Sequence, residues 1–294
     1  MVFKKKIQSL FNSLIRNSLI YSYFVSLNQQ KQKQLISQWK LAFKQNIKLF
    51  DDIKDIGFRC YSQFDEDGII LYLLTLVGKK NNTVVEICCG DGQESMSANL
   101  VINHGFKGYL FDGSLKKIET AKKFFSKHKE CLLVKPTIKN EWITKENINT
   151  ILSENGVEGE VDILAIDMDG IDYYVWEAIE KINPRICVFE INNFIPNNVS
   201  LTIPYSEDFD YLKQDKKLQD FRSVSPTAMN KLSERKGYTF VGNNKHGFNV
   251  FYVRNDLLNK LLPKPQLQSL YDTEWSKERL KDWVKIKDQP WVKI

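Results

Sequence analysis

The sequence predicts an α/β chain built around a doubly wound, mostly parallel sheet. Three observations lead there. Short apolar runs alternate with helix-length segments from Asp51 to about residue 190. Those runs are nearly continuous in hydrophobic residues, as in strands covered on both faces. The first of them ends in a glycine loop that opens directly into a helical segment.

The predicted strands are Val84–Cys88, Gly108–Asp112, Cys131–Lys135, Val161–Asp167 and Ile186–Ile191. Between them, Glu94–His104, Leu115–His128, Lys145–Asn155 and Asp172–Ile182 are each long enough to cross back to a parallel neighbour. Tyr238–Val241 and Asn249–Arg254 read as an antiparallel pair joined by the polar turn Gly242–Gly247. Ahead of the sheet, Ile7, Leu10, Phe11, Leu14, Ile15 and Leu19 recur at helical spacing, and a second helix is expected over Gln32–Phe50. Pro263–Ile294, with Trp275, Trp283 and Trp291 among many charges, reads as a wrapping tail. The expected organisation is a basic helical arm over residues 1–50, a catalytic-size α/β domain over 51–262, and the tail over 263–294.

Charge is distributed unevenly. Of 42 Lys and Arg, nine fall in residues 1–50, which contain no Asp or Glu; from Asp51 onward the remaining 33 face all 36 acids, a net of −3. The arm is expected to pack on the domain or on a second copy, a homo-oligomer; peripheral contact with an anionic membrane is the alternative. Lysines and aromatic residues do not interleave as a nucleic-acid surface requires, so no nucleic-acid partner is expected. Five cysteines without zinc spacing or a disulfide framework fit a reducing cytoplasm, with the inner membrane face as the peripheral option. Arg16 and the polar residues around it interrupt the N-terminal apolar stretch, which argues against a signal peptide or a spanning helix.

The run Val84-Val85-Glu86-Ile87-Cys88-Cys89-Gly90-Asp91-Gly92 is a strand ending in a loop that a ligand's backbone-hugging face can approach. Asp112 ends the next strand, where an acid accepts hydrogen bonds from ribose hydroxyls. A dinucleotide fingerprint places a third glycine at position 95, where this chain has Ser95, and Glu86 precedes the glycines. Those features favour S-adenosylmethionine over a dinucleotide; a tight turn with no ligand is the plainer alternative.

The motifs resemble class I methyltransferases, and within them the FkbM-type group. The resemblance rests on Glu86-x-Cys88-x-Gly90-x-Gly92, Tyr61-Ser-Gln-Phe-Asp-Glu-Asp-Gly68, Gly108-Tyr-Leu-Phe-Asp-Gly113, Asp162-Ile-Leu-Ala-Ile-Asp-Met-Asp-Gly170, Cys187-Val-Phe-Glu-Ile-Asn192 and Lys236-Gly-Tyr-Thr-Phe-Val-Gly242. Cys88 departs from the glycine of the family pattern. The resemblance implies that Glu86, Gly90, Asp91 and Gly92 line the cofactor, that Asp112 with Gly113 meets its ribose, and that Gln63 and Ser62 lie toward its methionine end; helix capping by Ser62 or the acids after it is the alternative for that pair. It also implies O-methylation of a small-molecule or glycan substrate, often a sugar.

Asp167, Asp169 and Asp172 crowd one strand end, with Glu190 and Asn192 expected on the next. Carboxylates so placed orient a hydroxyl, accept its proton, or hold a divalent metal through oxygen ligands; the metal is not favoured. Asp167 and Asp169 are the expected catalytic residues, Asp172 a helix cap, and His246, in the late hairpin turn, a further candidate base. Two rivals are a non-catalytic binding module, which Cys88 favours, and a haloacid-dehalogenase-type phosphatase suggested by Asp167-Met-Asp-Gly170. The second lacks the downstream acidic motif that chemistry needs.

Overall fold

A computed structural model describes residues 19–294, with side chains from Leu27 onward. The helix expected through Ile7 to Ile15 lies outside the described residues. The chain forms two compact units, Met1–Ile47 and Lys48–Ile294. In the first, helix α1 runs over Leu19–Lys44, starting earlier and ending earlier than Gln32–Phe50. Asn46 takes φ 63° and the Ile47 N–H returns to the Ala42 carbonyl at 2.9 Å, which closes the helix with a left-handed residue. No described helix is long and apolar enough to cross a membrane.

The second unit holds a seven-stranded sheet. Its strands are β1 (Thr83–Ile87), β2 (Lys107–Asp112), β3 (Thr137–Asn140), β4 (Gly159–Ile166), β5 (Ile182–Glu190), β7 (Tyr238–Asn243) and β8 (Asn249–Arg254), in the order β3-β2-β1-β4-β5-β8-β7. Strands β1 to β5 are parallel; β8 runs antiparallel to both β5 and β7. Chain order reverses at β1, with β2 on one side and β4 on the other, so the switch-point crevice lies above the end of β1. This is the Rossmann-like, doubly wound arrangement expected, with its antiparallel pair at the edge.

Helices α2 (Glu66–Val77), α3 (Ala98–His104), α4 (Leu115–Phe125), α5 (Ile148–Glu154), α6 (Asp172–Ala178) and α7 (Pro226–Arg235) accompany the strands. A central apolar layer is buried on both faces of the sheet: Val85, Leu164, Val188 and Phe251 are wholly inaccessible. Short strand β6 (Leu201–Thr202) pairs with β9 (Val292–Lys293), and the tail between carries α8 (Glu274–Leu280) and α9 (Trp283–Ile286). Trp291 meets Phe221 edge-on at 4.6 Å, fastening the chain end.

Two expected elements are corrected. Cys131–Lys135 is not a strand: Lys129–Leu132 forms a 3₁₀ turn, and the third strand is Thr137–Asn140, beyond Pro136. β3 lies at the sheet edge and buries only Ile138, so it carries little hydrophobic signal, whereas Leu132 and Leu133 in the apolar run face solvent. The helix expected from Glu94 starts at Ala98, because the Glu86 carboxylate captures the Met96 and Ser97 N–H groups and holds a turn there.

Candidate active site at the strand ends

The segment ahead of α2 explains the Tyr61–Gly68 motif residue by residue. One Asp67 oxygen accepts from the backbone N–H groups of Cys60, Tyr61 and Ser62 at 2.6–2.9 Å, folding that stretch into a fixed loop. The Asp67 N–H in turn donates to Ser62 Oγ at 3.2 Å. Burial nevertheless raises the Asp67 carboxyl to about 6. Glu66 accepts from the Phe64 N–H and from the side-chain amides of Asn244 and Asn249, at 2.8–3.0 Å, tying the loop to the β7–β8 hairpin. Gly68 is required because a Cβ there stands 2.5 Å from the Phe58 nitrogen. Ser62 is thereby a bracing residue, while Gln63, exposed, and Phe64 line a cavity beside the end of β5.

At the end of β1, Glu86 lies beneath the glycine loop and not at its open face. Its buried carboxylate accepts from Ser95 Oγ, Ser97 Oγ and the Met96 and Ser97 N–H groups. Burial pushes this carboxyl up and the four donors pull it back. Gly90 and Gly92 take φ 60° and 80°. A Cβ on Gly92 meets Phe125 at 3.0 Å and Phe124 at 3.1 Å, so Gly92 packs against α4; on Gly90 it meets nothing within 4 Å, so that position faces open space. Asp91 accepts from the Gln93 N–H and shapes the turn. Cys88 holds a left-handed, glycine-like conformation, at φ 65°. It directly follows β1, between β2 and β4, and burial with the neighbouring Asp112, Asp172 and Asp167 carboxylates pushes its thiol well up.

Asp112, buried at the end of β2, accepts from the Gly90 N–H at 3.0 Å through one oxygen and from the Ser114 N–H at 2.8 Å through the other. Each oxygen keeps a lone pair for a ligand hydroxyl. Gly113 lies directly under Trp142, whose ring a Cβ would strike at 2.6 Å.

The third group lies where β4 and β5 end side by side. Oxygens of Asp167 and Glu190 lie within 4.8 Å of each other; burial, then repulsion from Asp169 and Asp172, raises Asp167 to about 7, and burial, then repulsion from Asp167 and Asp169, raises Glu190 well above its usual range. Two carboxyls that close share a proton near neutrality. Asp169, at φ 54°, pairs with Arg222 at 2.6 Å. Arg222 also lies 4.6 Å from the Tyr211 ring centre. Asn192 sets that arginine: its amide donates to the Asp220 and Arg222 carbonyls at 2.9 Å. Asp172, the first residue of α6, accepts from the Met168 and Gly170 N–H groups at 2.8 and 3.0 Å and so shapes the Asp167–Ile171 loop. Asp172 is not the cap expected of it: Ile171 holds that position with no side-chain cap bond, and the Asp172 carboxylate points back to brace the preceding loop. Cys88, Asp169 and Ser223 are three of five non-glycine residues with positive φ among the described residues, the others being asparagines, and all three border this site. Such conformations each cost about 1–2 kcal/mol and concentrate at functional sites.

A cavity of about 230 Å³ opens onto Glu190. Its walls include Gln63, Phe64, Asn193, Arg222, Phe248 and Trp275. Arg279 of the tail stacks on Phe194, 3.9 Å from its ring centre. His246 stands outside this wall: its rings of contact are Phe64 at 4.3 Å, Trp275 at 5.5 Å and Phe248 at 6.2 Å, and the carboxylate it influences is Asp65. The structure thus brings Asp167 and Asp169 together with Glu190 and does not bring His246 to them. Asp167, Asp169 and Glu190 form the one group among the described residues with oxygens close enough to share a metal ion. Arg222 already supplies the countercharge there.

Arg222, Phe248, Trp275 and Arg279 carried no motif. Asn192, noted from sequence only as a strand-end residue, holds the segment that bears Arg222; nothing in the sequence tied the other three to the site.

No family profile and no curated protein sequence matches this chain. Among solved structures it is similar to an S-adenosylmethionine-dependent methyltransferase from Clostridium acetobutylicum, with 11% identity, 62% of this chain and 87% of that one covered, and TM-score 0.39. It is also similar to the CcbJ methyltransferase of Streptomyces caelestis, with 13% identity, coverage of 69% and 96%, and TM-score 0.41. A third is the glycopeptide N-methyltransferase MtfA complexed with sinefungin, at 9% identity, 64% and 85% coverage, and TM-score 0.38. At that distance they carry nothing about substrate or residue roles.

Proposed function

We propose that this chain is an S-adenosylmethionine-dependent methyltransferase acting on a hydroxyl, with Asp167 and Glu190 as the pair that takes the acceptor's proton. The observation that carries this reading is the state of the loop after β1. In a dinucleotide site the first free N–H groups of the following helix meet a pyrophosphate. Here the Met96 and Ser97 N–H groups are consumed by Glu86, while Asp112 remains poised for a ribose and the space over Gly90 is open. That combination fits a nucleoside cofactor without phosphates. The order of the FkbM-type motifs supports the same cofactor and a sugar-like acceptor.

Bound S-adenosylmethionine supplies a methyl carbon already activated by a sulfonium. What remains for the chain is to align an acceptor oxygen in line with that carbon and to accept its proton. Gly90, Asp112 and Gly113 would hold the nucleoside, and Gln63 would lie toward the methionine end. Asp167, raised to about 7 beside a Glu190 that keeps its proton to higher pH, is tuned to take a proton from a hydroxyl. Asp169 holds Arg222 beside the pair and fixes its geometry. The aromatic faces of Phe248 and Trp275, with Gln63, Asn193 and Arg222 between them, suit a ring bearing hydroxyls.

The test is transfer of isotopically labelled methyl groups from S-adenosylmethionine into the small-molecule and glycan fraction of an extract from the source organism. Labelling by the wild type and none by Asp167→Asn supports the assignment. Equal labelling by both removes Asp167 from the chemistry.

A further inference from the structure

We propose that the surface formed by α4 and the turn after it docks on an anionic lipid bilayer. Between residues 116 and 139 the chain carries eight lysines and two glutamates, a net of +6, within a body from Asp51 whose net charge is −3. All eight lysines are exposed, and among the described residues none forms an ion pair with a carboxylate. At the centre of this basic surface the 3₁₀ turn Lys129–Leu132 presents Leu132 and Leu133, 63% and 96% exposed, with Lys127, Lys129 and Lys135 around them. Beside Leu132 lies a recess of about 360 Å³ walled by Phe125, Cys131, Pro136 and Ile138, with Lys122 and Lys135 at its lip.

Lysines flanking protruding leucines complement a layer with anionic headgroups over an apolar interior. A nucleic acid would reward the lysines and leave Leu132 and Leu133 in water, so the leucines decide for lipid. The turn leads into the start of β3, at the end of the sheet opposite Asp167 and Glu190. Docking there leaves the candidate active site open to its acceptor. This inference is independent of the methyl-transfer reading.

Co-flotation of the full chain with phosphatidylcholine vesicles, with and without phosphatidylglycerol, tests it. Binding is expected only with the anionic lipid. Each lysine near such a surface contributes roughly fivefold in partitioning, so replacing Lys127, Lys129 and Lys135 by Gln should weaken binding roughly a hundredfold. Leu132→Ser with Leu133→Ser should weaken it at unchanged charge; thermal melting of each variant confirms that it folds. Three results would overturn the proposal. They are wild-type binding by both variants, which would give the membrane contact to another surface; leucine-independent binding shared with duplex DNA; and self-association that the leucine variant abolishes.

Discussion

Replacing Asp167 by Asn should stabilise the protein at alkaline pH while abolishing methyl transfer. Asp167 is held in the folded state at about 7 against an ordinary 3.8, chiefly by burial and then by its neighbouring carboxylates. A carboxyl raised in this way keeps its proton in the native state after the unfolded chain has released it. The native state therefore has its full advantage below pH 4 and loses stability as pH rises from about 4 to about 7. At 1.36 kcal/mol per pH unit the loss reaches at most about 4 kcal/mol, and rearrangement of the proton shared with Glu190 brings the working figure to about 2–4 kcal/mol. Asparagine keeps the shape and removes the ionisation. Urea unfolding of both proteins at pH 4 and pH 8 should show equal midpoints at the lower pH and a more stable variant at the higher. Equal stability at pH 8, or a less stable variant, would refute the buried-pair account.

In the wild type, methyl transfer should fall about tenfold per pH unit below pH 7, as the pair regains its proton; a flat profile between pH 5 and 8 would remove the pair as the base. Arg222→Met should leave S-adenosylmethionine affinity unchanged, lower kcat and move that limb to higher pH, because Arg222 favours the ionised form of Glu190; kinetics across pH would show it. Glu66→Ala strands three donors, the Phe64 N–H and the Asn244 and Asn249 amides, and should cost about 2–4 kcal/mol in chemical unfolding. Gly90→Ala meets open space and should cost only about 1–2 kcal/mol of backbone strain while sharply weakening cofactor binding. Gly92→Ala, pressed against Phe124 and Phe125, should lose more stability than Gly90→Ala in the same unfolding series.

The central strands were legible because burial on both faces writes itself as an unbroken apolar run, as in Ile163–Ile166 and Ile186–Phe189. Edge strand β3 was not, since one buried residue leaves no pattern, and the more apolar Cys131–Lys135 drew the assignment. Residues at strand ends, Asp112, Asp167 and Glu190, could be placed from sequence because a strand's end fixes where its last side chain lies. Their company could not. Arg222 arrives from an irregular segment some thirty residues past β5, and Trp275 and Arg279 from the tail; long-range loop contacts leave no periodicity. Glu86 shows a subtler limit. Its type and position were clear, but whether it turns toward a ligand or down onto Ser95–Ser97 depends on a turn that only the folded chain displays.

The most direct measurement is calorimetric titration of the full chain with S-adenosylmethionine and S-adenosylhomocysteine, alongside Asp112→Ala and Asp167→Asn. Saturable binding of both ligands by the wild type and by Asp167→Asn, with loss in Asp112→Ala, is the predicted result. No heat of binding from the folded wild type, or binding that Asp112→Ala leaves intact, would contradict the assignment of the loop after β1 as a nucleoside site.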